Sequence, residues 1–419
     1  MSRAGNTPQH DRPAHQIRGS ARTWRNLLLS LFVMVFLLGL GTELVLRAIY
    51  VPENLGTVIR FDRMTGWSLE PLASIRSVDY QHDLDYPIHI NSVGLREREI
   101  SIEKPKGVRR ILVMGDTEVW GTGLESQWRY SDFLGRALDG GVEVINAGIP
   151  DWGTDQELIH FETLGRRLDP DLVILQVKLT DDVINNMLDH IFFGASPKPR
   201  FVIEADTLKL VGAPLEPPVR TNGFSVRKLL KKSRTLLFIK RRLDARRYKR
   251  TAAKPSFSRG FDTRLAKDYS FWSVYEKTYD EEFERAWEVT EAILLRFERR
   301  CEEIGSELIV FEFPERLAVD EPWRSEVMLH VGVDSTRLDF GRPHKRLAEF
   351  CARHGIEYYY PIEAFESEFR EGTHLFGKNN FPNKYGNGLT ARVLLGVLTS
   401  RHNFRAHVSN NDLVYMTSE

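Results

Sequence analysis

The sequence predicts an α/β protein: a three-layer α/β/α domain around a parallel sheet, preceded by one transmembrane helix. Three observations predict it. Short, uninterrupted apolar runs such as Ile111–Met114 end in Gly or Pro, as strands buried on both faces do. Helical patterns separate these runs, so the connections are crossovers and the strands parallel. Near the N-terminus, Leu27–Leu46 is apolar over about 20 residues, the thickness of a bilayer core at a helix's rise.

The 419 residues suffice for one large core with appendages. Lys and Arg number 58 and Asp and Glu 58, a balance that offers no global field for nucleic acid. The only cysteines, Cys301 and Cys351, are too few for a disulfide scaffold or a zinc site and read as two buried thiols on neighbouring helices. No cofactor or metal is expected.

In chain order, residues 1–26 are polar and aperiodic and read as a disordered cytoplasmic tail. Leu27–Leu46 follows as the anchor, its single charge Glu43 four residues before Arg47 on one helical face. Arg22 and Arg25 precede it and only Arg47 follows closely, so the N-terminus is expected in the cytoplasm and the main domain outside it, in the periplasm. A cleaved signal peptide would need a small-x-small site after the apolar run, and there is none.

Residues 51–104 carry turn signals and some period-2 alternation, reading as a small β-rich cap. The main domain is expected over 105–400. After Ile111–Met114, strands are expected at Val142–Asn146, Asp171–Val177, Glu307–Phe313 and Ile356–Tyr360. Helices are expected at Asp155–Leu168, Tyr279–Ile304, Lys345–His354 and Gly386–Thr399, with a tail over 401–419. An insertion, 224–275, interrupts the rhythm. Its part Phe224–Arg250 holds twelve Lys or Arg against one Asp, with Leu229, Leu230, Leu236, Leu237, Phe238 and Leu243 interleaved. It reads either as a solvated helix packed on the domain or as a face for anionic lipid or acidic glycan.

Four blocks in order carry a resemblance. They are Gly115-Asp116-Thr117 with Gly121 and Gly123; Asn146-Ala147-Gly148; Leu179 to Asn186; and Asn379 to Asn387. Together they resemble the SGNH/GDSL hydrolases over most of Asn91–Ser400. The resemblance implies ester hydrolysis or acyl transfer: a Ser attacks, a His near an Asp takes its proton, and backbone amides plus an Asn hold the oxyanion. It places Thr117 at the nucleophile, the Thr117 and Gly148 amides and Asp181 at the oxyanion hole, and Asn379 and Phe381 at the Asp and His of the dyad.

The departures matter chemically. Thr117 keeps a hydroxyl but adds a methyl that restricts χ1. An ionised Asp181 would only accept hydrogen bonds and would face the developing charge. Phe381 cannot take a proton, and Asn379 then has no imidazole to orient. His374, three residues after Glu371, is the rival base, with twelve residues to Gly386 where the family's spacing is about five. Glu118 is a weaker substitute, being adjacent to Thr117 at a tight turn. His160 reads as a surface or packing residue. Asp116, Asp181 and Asp182 crowd one crevice that could take a divalent cation, but the resemblance gives Asp116 and Asp182 structural roles, which is the stronger reading and leaves only Asp181 unexplained. Trp120 and Trp152 read as packing or as an aromatic wall for sugar.

The backbone-determining glycines are kept while the groups that move protons are exchanged. That predicts a pseudoenzyme that binds an acylated glycan or an envelope protein partner. The alternatives are a working esterase or acyltransferase on cell-surface carbohydrate using Thr117, and a structural subunit of a membrane complex.

Overall fold

A computed structural model describes residues 17–49, 58–79, 82–191, 196–218, 233–251 and 269–416. The chain forms two compact units, Met1–Val51 with Thr221–Arg250, and Pro52–Arg220 with Thr251–Glu419.

In the first unit one helix runs from Ile17 to Ile49. Its part Arg22–Ile49 is long and apolar enough to cross a membrane. Helical structure therefore begins inside the stretch expected to be a disordered tail, of which 1–16 lie outside the described residues. A second helix spans Arg234–Thr251; the basic residues of 224–232, with Leu229 and Leu230, lie outside the described residues. Glu43 joins the two helices. Its carboxylate accepts hydrogen bonds from Ser233 Oγ (2.8 Å) and from the Arg234 and Thr235 amides (3.0 Å each). It also accepts from Arg47 Nε at 2.9 Å, the pairing expected from their four-residue spacing.

The second unit opens with two antiparallel hairpins, β1 (Ile59–Asp62) with β2 (Gly66–Leu69) and β3 (Ser74–Asp79) with β4 (Leu84–His89). The central sheet consists of β5 (Arg109–Met114), β6 (Val142–Asn146), β7 (Leu172–Val177), β10 (Glu307–Glu312) and β11 (Glu357–Tyr359). Its order is β6-β5-β7-β10-β11, every pair parallel. A hairpin, β8 (Arg200–Glu204) with β9 (Thr207–Val211), stands outside that sheet.

Alternation along the strands covers both faces. Leu112, Met114, Val173, Leu175, Leu308 and Val310 meet helices Thr154–Thr163, Leu179–Met187, Glu281–Glu302 and Arg342–His354. Ile111, Val113, Leu172, Ile174, Ile309 and Phe311 meet Tyr130–Ala137, Ile362–Arg370 and Lys384–Arg401. Both cysteines are buried free thiols, on Glu281–Glu302 and Arg342–His354.

The expected tail is different from its sequence reading: Asn410–Met416 is a helix whose Met416 is buried in the second core. Room for it comes from Gly388, where a Cβ would collide with the Tyr415 carbonyl. Helix Asp155–Leu168 ends early, at Thr163, and continues as a 3-10 turn, Gly165–Leu168.

Candidate functional site

In this strand order the chain leaves β5 on one side for β6 and returns on the other for β7, so the topological switch point lies between β5 and β7. Loops at the carboxyl ends of strands on either side of such a point part and leave a crevice. Thr117 and Glu118 reach it from β5, Asp151 from β6, Lys178 and Asp181 from β7, and Glu315 to Leu317 from β10. Phe271, Trp323 and the segment Phe376 to Pro382 close it, leaving a cavity of about 220 Å³.

The β5 turn is built by glycine and an aspartate. Gly115 has φ +153°, and a Cβ there would strike Val119 and come within 3.0 Å of Gln176 Cβ. Asp116 caps the single turn Thr117–Trp120, its carboxylate accepting from the Glu118 amide at 3.4 Å. Thr117 Oγ faces the cavity but accepts a hydrogen bond from the Asp151 amide at 3.2 Å. Asp151 itself sits in the left-handed region, φ +61°. Gly148 permits the close approach of the β6 loop, since a Cβ would lie 2.5 Å from the Trp120 amide nitrogen. Its own N–H, an expected oxyanion donor, is turned to Asn146 Oδ1 at 3.1 Å.

Lys178 organises the floor. Its Nζ lies 3.3 Å from Glu118 Oε1, 3.3 Å from Asp181 Oδ2 and 3.9 Å from Asp116 Oδ2. The cation at this carboxylate cluster is thus an ammonium of the chain itself. Among the described residues no group of three or more His, Cys, Asp or Glu side chains is placed to hold a metal. Asp182 instead faces its own helix: its carboxylate accepts the Lys178 amide at 2.7 Å and anchors the start of Leu179–Met187.

Burial decides the protonation states. Asp181 is only 3% exposed, and desolvation pushes its carboxyl up to about 8 against the pull of Lys178, with Asp116 adding to the rise. A carboxyl raised in this way is biased toward its protonated form, the one that can donate, whereas the sequence reading took Asp181 as an ionised acceptor. Glu118 is held well above the usual carboxylate range, by burial first and Asp116 second. Asp151 is raised to about 6 by burial, again with Asp116 adding. Burial works against the Lys178 charge, but Asp181, Glu118 and Asp116 outweigh it and hold its pKa well above the ordinary lysine value. A lysine so held keeps its proton and cannot serve as a base.

Phe381 and Asn379 both line the cavity. The Phe381 ring centre is 5.7 Å from Lys178 Nζ, so a quadrupole faces the ammonium where the resemblance implies an imidazole. Asn379 is wedged between two glycines: a Cβ on Gly123 would lie 2.8 Å from its Nδ2, and one on Gly377 2.7 Å from its Oδ1. His374 is exposed and does not line the cavity; its carbonyl accepts from Asn383 Nδ2 at 2.6 Å.

The tryptophans belong to the core. Trp120 (0% exposed) and Trp152 (1%) pack with Trp67, Tyr86, Ile88 and Ile149, and neither lines the cavity, which corrects their reading as binding residues. Trp67 Nε1 donates to the Pro150 carbonyl and Trp152 Nε1 to the Trp67 carbonyl, each at 3.2 Å, so the pair fastens the hairpins to the site loops. His160 packs its ring edge-on against Trp152, centroids 5.1 Å apart.

Lys178, Asp151, Glu315 and Trp323 were not among the residues singled out from sequence. Lys178 had one available signal, its place immediately before the third block at the end of a buried strand. The others reach the cavity through loops that no spacing fixes.

No protein-family model matches the sequence, and no curated protein matches it. Among solved structures, a lipolytic G-D-S-L family member from Veillonella parvula aligns with 70% of this chain and 100% of its own, at 12% identity and a TM-score of 0.32. A lipase/acylhydrolase from Enterococcus faecalis covers 72% of this chain and 100% of its own, at 12% identity and TM-score 0.32. A catalytic mutant of an acetylxylan esterase from Geobacillus stearothermophilus covers 70% and 95%, at 12% identity and TM-score 0.34. By its strand order and all-parallel pairing the chain has a doubly wound, three-layer α/β/α fold, with three of the sequence blocks at strand ends and the fourth at the start of helix Lys384–Arg401.

Proposed function

We propose that this protein is a membrane-anchored SGNH-fold pseudoenzyme that binds a hydroxyl-rich ligand, a sugar unit of an acylated glycan, without cleaving it. One observation carries the reading. Asp181 and Asn379 line the cavity, and their buried Oδ1 and Nδ2 have no hydrogen-bond partner among the described residues. Orphaned polar atoms cost about 1–3 kcal/mol each unless something satisfies them. A carboxyl and an amide in a cavity also lined by Phe271, Phe313, Phe376, Phe381 and Trp323 suit a sugar ring, with polar edge and apolar face. The cavity, at about 220 Å³, is below the roughly 300–1,000 Å³ of drug-sized sites, so it fits one such unit or an acyl group.

The absence of turnover follows from the same groups. Thr117 Oγ is engaged by the Asp151 amide, Lys178 holds its proton, and Phe381 supplies no base. Isothermal titration of the full chain in detergent with acetylated and deacetylated oligosaccharides tests the reading. Binding that weakens in Asp181→Ala and Asn379→Ala is expected; no binding to either class would refute it.

A second reading, a working esterase, draws on one specific contact. Asp151 shares the cavity with Thr117, its amide touches the hydroxyl, and its carboxyl titrates at about 6, below neutral pH. In that case Asp151→Asn would abolish an activity that Thr117→Ala also abolishes. The anchor reading rests on Arg22–Ile49, and the placement of the N-terminus in the cytoplasm on Arg22 and Arg25.

A further inference from the structure

We propose that helix Arg234–Thr251 lies on the membrane surface against anionic lipid headgroups, riveted to the spanning helix through Glu43. The inference rests on the reading of Arg22–Ile49 as a membrane anchor. Both helices belong to one compact unit, so their contact is internal to it.

The first observation is the rivet. Glu43 sits three residues before the end of the apolar stretch at Leu46, where hydrocarbon gives way to headgroups. A carboxylate at that depth needs donors. It finds them in Ser233 Oγ and the Arg234 and Thr235 amides, the first unsatisfied donors of the second helix. The contact serves both sides: the charge is satisfied, and the helix gains an anionic cap. It also fixes the depth at which Arg234–Thr251 begins.

The second observation is the face. Leu236, Ile239 and Leu243 are 42%, 48% and 58% exposed. At spacings of three and four they form one stripe. Lys240 and Arg246, both exposed, fall on either side of it at about 100° per residue, and exposed Arg242 lies beyond Arg246. From Arg234 to Thr251 there are eight Lys or Arg and one Asp. A narrow apolar stripe rimmed by cations is the pattern of a helix that dips its side chains between headgroups and pairs its charges with phosphates. The apolar depth and the charge complement point to the bilayer that holds the anchor, rather than to an acidic glycan.

Spin labels test it on the full chain in phosphatidylcholine vesicles with and without phosphatidylglycerol. With phosphatidylglycerol, a label at Leu243→Cys should be reached by oxygen and shielded several-fold from a water-soluble nickel complex; a label at Arg242→Cys should show the smaller shielding. Adding Glu43→Ala should expose the Leu243 site. Carbonate extraction of the same vesicles separates the failures. Release of the protein overturns the anchor and this proposal together. Retention with the Leu243 site open to nickel overturns the proposal alone, as does equal shielding in both vesicle types, or shielding that appears only after membrane proteins are added.

Discussion

Lys178 Nζ lies 3.3 Å from Asp181 Oδ2, and the contact sets the character of the whole cavity. The position that the family resemblance assigns to a neutral amide donor holds a carboxyl. Beside it stands an ammonium that also meets Glu118 and Asp116. One cation thus serves three acids in a water-poor crevice, and burial raises the pKa of two of them, Glu118 and Asp181. A site of this kind keeps its protons in place.

Removing the cation should therefore be costly where the acids ionise. Breaking a buried ion pair from one side destabilises by about 3–5 kcal/mol. Lys178→Met is expected to lower stability by that order at about pH 8 and by less at about pH 5, well below the raised pKa of Asp181. Urea unfolding followed by tryptophan fluorescence at the two pH values measures the difference.

Asp181 gives a pH slope of known sign. Its pKa is raised from 3.8 unfolded to about 8 folded, so the native state binds the extra proton between those values. Its contribution to stability is fully present below the unfolded pKa and is lost as pH rises through about 8. Asp181→Asn should flatten the fall by up to about 1.4 kcal/mol per pH unit. The variant should therefore gain on the wild type as pH rises, and unchanged slopes would place the titrating group elsewhere.

The two kinds of tryptophan should separate cleanly. Trp120 is fully buried beneath the hairpins, and truncating such a ring costs about 3–5 kcal/mol. Trp120→Ala should lower the melting temperature by several degrees through lost packing. Trp323 lines the cavity and sits under the Arg316 guanidinium at 4.5 Å. Trp323→Ala should weaken ligand binding with the smaller loss of stability, as read by titration and melting side by side.

Restoring the missing groups should restore chemistry only in combination. A general base contributes about 100- to 10,000-fold, and one oxyanion donor about 100- to 1,000-fold. Thr117→Ser, Asp181→Asn, Asn379→Asp and Phe381→His together should yield hydrolysis of p-nitrophenyl acetate above background. Each single change should yield none, because the others still withhold a proton acceptor or a donor.

How much of this was legible in the sequence follows from where the information lies. The sheet was readable because Ile111–Met114, Leu172–Val177 and Glu307–Glu312 are continuous apolar runs with sharp stops. Thr117, Asp181, Asn379 and Phe381 were placed by the resemblance of the four blocks, and all four line one cavity. The charge states were not readable. Asp181 looks ionised on paper, and it is its burial, 3% exposed, that raises its pKa. The tryptophans also depended on tertiary context: Trp120 and Trp152 follow the site loops in sequence but turn to the hairpins in space. Asn410–Met416 was missed because a seven-residue helix with a polar start carries too little periodicity, and its place depends on Gly388.

The most direct test is the initial rate of p-nitrophenyl acetate hydrolysis by the full chain beside Thr117→Ala. A silent site predicts that the two rates are equal and indistinguishable from buffer. A wild-type rate above buffer that disappears with the Thr117 hydroxyl would contradict the account.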